Sequence, residues 1–216
     1  GYHEIIVETP SSTEQTHNFS VEKIKRLLHV YLDRIRDLRE LKHIKYVCVI
    51  KNEGEDAATS LVHSHSQVIA YNILPVVVDE KVRANKTKCH YCNVLEMEKN
   101  SDRRCYENDG AVAFAPYASR FGYEIWIMPK RHIARIDDFT DDEIGSMADL
   151  MKKALSRLVE ATSSYNMAVY YAPDGADLHF HIEILPRISK FGGFEFLSGT
   201  IINPVSPEHA AEFYRG

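Results

Sequence analysis

Two pairs of histidines lie in β-prone runs, His63-Ser64-His65-Ser66-Gln67-Val68-Ile69 and His179-Phe180-His181-Ile182-Glu183-Ile184-Leu185. Alternate side chains of a strand face the same way, so His63, His65 and Gln67 project together from one face. Such a cluster is a poor core, because each buried imidazole or amide needs a hydrogen-bond partner. One pair could be a polar surface strand; two pairs in matching places favour a site. A neutral imidazole can attack phosphorus and split one transfer into two easier steps through a covalent phosphoramidate. Its other ring nitrogen must then be protonated and oriented, usually by a backbone carbonyl. Donors for the phosphate oxygens would come from the Gln67 amide, the Ser60 or Ser66 hydroxyl and the amides of the Asn52–Gly54 loop. No GxxxxGK[ST] or GxGxxG loop is present, so phosphate binding would rest on this cluster. Glu183 stands where the other run has Gln67, and an acid there would repel a phosphate. Catalysis is therefore assigned to the first pair.

Cys89-His90-Tyr91-Cys92 with two later histidines is a zinc pattern, thiolates plus imidazoles in a closed tetrahedron. The best-placed partners are His132, just after a strand, and His179; His90 and His181 are less suited. A redox CxxC would usually follow a strand and open a helix in a thioredoxin-like unit, which the sequence does not suggest. Four cysteines in 216 residues are no disulfide scaffold. Together with the lack of a basic-then-apolar leader, this implies a reducing, cytoplasmic setting. Cys48 reads as core and Cys105, in a charged stretch, as a free thiol.

The elements that must hold these residues occur twice in the same order. Gly1–Pro10 and Gly122–Pro129 are strands closed by a proline. A long amphipathic helix follows each. In the first, Ser20 is the N-cap of a stripe of Val21, Ile24, Leu27, Leu28, Tyr31, Leu32, Ile35 and Leu38. In the second, Thr140-Asp141-Asp142-Glu143 is a capping box before Ile144, Met147, Met151, Leu155 and Leu158. Then come strands at Tyr46–Ile50 and Met167–Tyr171, turn-rich loops at Lys51–Asp56 and Ala172–Gly175, and the histidine strands. One helix per unit among consecutive strands predicts an α+β fold with antiparallel sheet. The units are residues 1–80 and 81–216, joined by a link from about Pro75 to Lys88.

Hydrophobic residues at 44% and charged residues at 26% are ordinary globular usage. A net charge of -5 lacks the footprint of a nucleic-acid binder, and no apolar run is long enough to span a membrane.

The ordered motifs resemble the galactose-1-phosphate uridylyltransferase branch of the histidine-triad superfamily, close to its ADP-glucose phosphorylase-like members. They are the opening Gly1–Pro10 strand, Lys51-Asn52-Glu53-Gly54, Ser60 followed by His63–Gln67, Pro129-Lys130-Arg131-His132, and the tail Gly192-Gly193-Phe194-Glu195 with Ile202-Asn203-Pro204-Val205. The resemblance implies tandem histidine-triad-like units, the first lacking its N-terminal part. It implies ping-pong nucleotidyl transfer between a nucleotide sugar and a sugar 1-phosphate. His65 would be the nucleophile, His63 an orienting or metal-binding residue, and Gln67 a contact to the phosphate, with Asn52, Gly54, Ser60 and Ser66 beside it. Lys190 and Glu195 match positions that touch the sugar phosphate, and Phe194 stands where the uridylyltransferases usually show Tyr. One structural zinc is implied on Cys89, Cys92, His132 and His179. A first-unit metal site is not expected, since Ser12 stands at its histidine position and His17 is displaced. Iron is not expected either, since Lys81 stands near the place of its carboxylate. A homodimer is implied, with nucleic acid and membrane excluded as partners. The alternatives are a nucleotide-sugar phosphorylase using the same nucleophile and a non-catalytic, zinc-stabilised nucleotide-binding protein.

Overall fold

In the computed structural model, which describes residues 1–85 and 88–216, one eight-stranded antiparallel sheet organises the chain. In chain order the elements are β1 (Tyr2–Val7), α1 (Val21–Arg39), β2 (Tyr46–Glu53), β3 (His65–Tyr71), α2 (Val76–Ala84), α3 (His90–Glu98), β4 (Arg104–Glu107), β5 (Ala111–Phe114), β6 (Ile125–Pro129), α4 (Asp141–Leu158), β7 (Tyr165–Tyr170), β8 (His181–Pro186), α5 (Gly193–Ser198) and α6 (Pro207–Arg215). The strand order is β1-β3-β2-β7-β8-β6-β5-β4. Its first six strands read the same from either end when β1, β3 and β2 are matched with β6, β8 and β7.

The long helices begin where their caps require. The Ser20 hydroxyl accepts from the Lys23 amide, and Thr140 and Glu143 close a reciprocal capping box. Capping satisfies amides that the first turn leaves without a helical partner. Both helices lie side by side on one face of the sheet and bury their apolar stripes against it. Val21, in the first turn of α1, stays outside the core at 37% exposure.

Three features depart from the sequence expectations. Lys51, Asn52 and Glu53 belong to β2, not to a loop, because β2 continues to pair with β7 as far as Glu53↔Tyr165. The strands β4 and β5 extend the second half, and Cys105 is a buried residue of β4. The stretch between the two halves carries α2, whose Lys81 reaches β8 on the face opposite α1 and α4. Among the described residues, no helix is long and apolar enough to cross a membrane.

Candidate active site

The first histidine pair opens on a cleft of about 450 Å³, with His63, His65, Asn52 and Gly54 in its wall. The His65 Nδ1 lies 2.9 Å from the His63 carbonyl. A carbonyl can only accept, so Nδ1 carries the ring proton and Nε2 keeps its lone pair. That Nε2 has no hydrogen-bond partner among the described residues. The His63 ring is fixed in turn by its Nε2, 2.6 Å from the Thr9 carbonyl. Gln67 shares the His65 face of β3, and its Oε1 accepts from His3 Nε2 at 3.0 Å. Asn52, on β2, accepts through Oδ1 from Asn166 at 2.7 Å, and Arg187 donates to Asn166 at 3.2 Å. Gly54 adopts φ +80, and a Cβ there would stand 2.3 Å from Ser164 Oγ and 2.9 Å from the Ser163 carbonyl. Only glycine suits both the left-handed conformation and the close approach.

Other expected site residues lie elsewhere. Ser66 is a correction: its hydroxyl points through the sheet to the helix side, where it meets Tyr31 Oη at 2.5 Å and Glu8. Alternation requires this once His65 faces the cleft. Ser60 is an exposed loop residue, and Thr59 and Leu61 on either side of it line the cleft. Lys190 is exposed and pairs with Asp56 at 3.3 Å, while the Glu195 carboxylate caps the Gly192 amide at the start of α5.

The sequence reading missed the floor of this site. Lys51 is fully buried, and its ammonium lies 2.9 Å from Glu8, 2.8 Å from Glu53, 3.1 Å from Ser64 Oγ and 3.1 Å from the His65 carbonyl. Burial alone would raise the Glu8 carboxyl; the Lys51 charge and the Ser64 and Ser66 hydroxyls hold it below its ordinary value instead. Glu53 reaches the cleft wall, as do Gln15 and His17. Desolvation lowers the His17 ring against the pull of Glu53. Local periodicity offered no signal for it, because Lys51 joins β2 through pairing with β7 and meets Glu8 from far along the chain.

The second pair is arranged alike and covered. His181 Nδ1 donates to the His179 carbonyl at 2.8 Å, and His179 Nε2 donates to the Pro129 carbonyl at 2.9 Å. The His181 Nε2, however, accepts from Lys81 at 3.1 Å. The same ammonium meets Glu183 at 2.6 Å and lies 4.8 Å from the Trp126 ring and 4.4 Å from the Tyr170 ring. Arg120 joins Glu183 to Glu124, and Tyr91 of α3 stacks on His181. His181, Glu183 and Glu124 are all fully buried. Burial lowers both the His181 ring and the Lys81 ammonium, although Glu183 pulls each upward.

Cys89, Cys92, His132 and His179 converge with ligand atoms all within 4.8 Å of one another. Cys89 immediately precedes α3 and Cys92 lies on its first turn, so one helix end presents both sulfurs. The pair thus opens a helix, but the element before it is α2 and not the strand of a redox unit. Cys92 Sγ is 3.2 Å from His132 Nδ1 and 3.4 Å from His179 Nδ1, edges of a size that a tetrahedral Zn²⁺ with bonds of about 2.0–2.3 Å would give. Asp177 holds His132 Nε2 at 2.8 Å, the outer-shell partner expected of a ligating imidazole. Burial, then His132, lowers the His179 ring to about 4, which keeps it in the neutral form that binds metal.

Residues 7–213 match the family described as "Domain of unknown function (DUF4921)". The galactose-1-phosphate uridylyltransferase of Thermotoga maritima is 30% identical over the whole of this chain, which spans 74% of that protein. The chain belongs to the galactose-1-phosphate uridylyltransferase family. The ADP-glucose phosphorylase of Arabidopsis thaliana is 29% identical, and this family member spans 64% of its length. That phosphorylase, solved with bound ADP-glucose, superposes with a TM-score of 0.90 at 28% identity, covering all of this chain and 73% of the other. A solved uridylyltransferase superposes equally well at 24% identity, over 74% of its length.

Proposed function

We propose that this chain moves a nucleoside monophosphate between a nucleotide sugar and a sugar 1-phosphate through a covalent nucleotidyl-histidine, the uridylyltransferase reaction of galactose metabolism. The orientation of His65 carries the reading: the Nδ1 proton is held by the His63 carbonyl, and Nε2 is left for the cleft. Nε2 attacks the phosphorus next to the nucleoside. The P–O bond to the sugar phosphate breaks, and sugar 1-phosphate leaves with the bonding pair. A second sugar 1-phosphate then attacks that phosphorus, the P–N bond breaks, and the pair returns to Nε2. In this scheme Gln67 and Asn52 donate to the transferred phosphate, and Gly54 lets the backbone approach it. Ser60 stands beside the transferred phosphate at the cleft rim, and Lys190 and Glu195 serve the sugar phosphate from the tail.

The likeness to the Arabidopsis phosphorylase favours a second reading of the same chemistry, with inorganic phosphate as the acceptor and an adenosine nucleotide as the donor. We assign one Zn²⁺ to Cys89, Cys92, His132 and His179, where it would hold the start of α3 against the segments after β6 and before β8 as a structural link. We also divide the chain into duplicated units at residues 1–80 and 81–216, on the matching strand order, and expect a cytoplasmic homodimer. None of the four cysteines is joined in a disulfide, which suits a reducing compartment.

Incubation with UDP-glucose or ADP-glucose labelled at the phosphate next to the nucleoside tests the transfer. Acid-labile label on the wild type and none on His65→Ala supports it. No label from either nucleotide sugar defeats it and leaves the binding protein as the surviving reading.

A further inference from the structure

The floor beneath the open histidine is polar, whereas the matching floor of the second half is hydrocarbon. The registers align the two. Ile5↔Gln67 and Ile6↔Ser66 on β1/β3 match Trp126↔Glu183 and Ile127↔Ile182 on β6/β8, so Val7 takes the place of Met128 and Glu8 that of Pro129. Ile50↔Gln67 matches Ala168↔Glu183, so Lys51 takes the place of Val169. Ser64 and Ser66 take the places of Phe180 and Ile182. The second set is buried and apolar, with Val169 at 3%, Phe180 at 4% and Ile182 at 0% exposure. The fold thus tolerates hydrocarbon at all four positions. A buried ion pair is often no more stabilising than apolar residues of similar volume. Stability therefore does not explain why the polar set lies under His65, whose Nε2 is open, and not under His181.

We propose that Lys51, held by Glu8, is a positioning residue for His65: its ammonium clamps the His65 carbonyl and offsets the two carboxylates of the floor, so that the ring is aimed and neutral when phosphate arrives. This rests on the nucleotidyl-histidine reading above. The clamp is direct, 3.1 Å from Nζ to the His65 carbonyl. The charge count is equally plain. Glu8, Lys51 and Glu53 sum to -1, and without the lysine they would sum to -2, against an anionic substrate and in favour of an imidazolium. The titratable groups around the clamp are Glu8, just after β1, Lys51 and Glu53 from β2, and Tyr31 from α1, beneath the His65 backbone on the helix side, while His17 from the turn before α1 and His63 share the cleft wall with His65 and Glu53.

The test compares wild type, Lys51→Met, and the double variant Glu8→Gln/Lys51→Met, which removes the clamp but returns the floor to -1. Single-turnover labelling with UDP-glucose or ADP-glucose, whichever labels the wild type, is followed against pH. UMP or AMP binding and thermal midpoint are measured alongside. Lys51→Met is expected to slow labelling about a hundredfold with nucleotide affinity little changed, as loss of aim does. Its acid limb should move up by about one pH unit. The double variant should return the acid limb to the wild-type position and stay slow. Wild-type rate and pH profile in a folded Lys51→Met would overturn the proposal. So would a double variant that regains rate in step with its thermal midpoint, since that marks a merely structural role. If the wild type takes no label, the transfer reading fails. The ring ¹⁵N titration of His65 then decides: the same tautomer and midpoint in wild type and Lys51→Met refutes the positioning role, and a raised midpoint upholds it.

Discussion

The two halves hold their histidines in the same way and spend their buried charge on opposite faces of the sheet. In the first half the ionised groups lie on the helix side, as Glu8, Lys51 and Glu53, and the histidine side is open. In the second half the helix side is apolar, and the ionised groups Lys81, Glu183, Arg120 and Glu124 fill the histidine side under α2 and α3. Val7 and Ile5, beside the first pair, are 63% and 53% exposed; Met128, in the place of Val7, is fully buried. The lesson is that an imidazole already oriented by a carbonyl becomes a nucleophile or a structural residue according to what meets its second nitrogen. In one half that is a cleft; in the other it is an ammonium held by a carboxylate and three aromatic rings.

The largest effect should come from the nucleophile. His65→Ala is expected to lower transfer by on the order of 10⁴-fold or more, as loss of a covalent catalyst does. His181→Asn should leave the rate per folded molecule near wild type. Comparable losses from the two substitutions, measured by product release and corrected for folded fraction, would erase the asymmetry.

The plug comes next. Lys81→Met removes the charge that Glu183 and His181 share. Breaking a buried pair costs about 3–5 kcal/mol, or roughly 10 °C in a chain of this size. The opened His181 should become reactive toward diethyl pyrocarbonate, which peptide mapping would locate. A variant as stable as wild type, with His181 still protected, would show that the aromatic cage closes this site without its lysine.

These contrasts were only partly legible in the sequence. The helices were, because the caps Ser20 and Thr140 coincide with apolar spacing. The histidine strands were too, because alternation alone puts His65 and Gln67 on one face. Alternation also turns Ser66 away from that face, and the donor role assigned to Ser66 overlooked this. Lys51 read as loop because a lysine beside Asn-Glu-Gly carries no local strand signal. Its place in β2 is made acceptable by Glu8, 43 positions away, and distant ion pairs leave no trace in local periodicity. Lys81 was noted only as standing near the position of a missing carboxylate, since its aromatic box assembles from α3, β6 and β7. The four metal-ligand candidates were legible because soft ligands at short spacing have few other uses, and they do converge.

A smaller effect is expected at the cleft wall. Gly54→Ala places a methyl against Ser163 and Ser164 in a left-handed conformation that costs a non-glycine residue about 1–2 kcal/mol. The rate of transfer at saturating substrate should fall severalfold, with zinc content and the second half unchanged. A similar substitution in the covered half, Gly175→Ala, has φ +75 but no neighbour within 4 Å. It should cost stability only, so equal loss of activity from the two would deny the cleft its special role.

The smallest effect separates the halves by pH. Glu8 and Glu183 are both held below the ordinary carboxylate value, against burial that would raise each, by Lys51 with the serine hydroxyls and by His181 with Lys81. A carboxyl with a depressed folded pKa binds more protons when unfolded, so stability rises with pH through that window. Each contribution is complete above about pH 4.5, near the unfolded value, and fades as pH falls toward the folded one. The thermal midpoint of wild type should therefore decline below about pH 4.5. Glu8→Gln/Lys51→Met, which leaves the second half intact, should decline less steeply and keep a residual slope from Glu183. An unchanged slope in the double variant would mean that the floor of the first half contributes nothing to acid stability, and that its charges matter, if at all, only when substrate is bound.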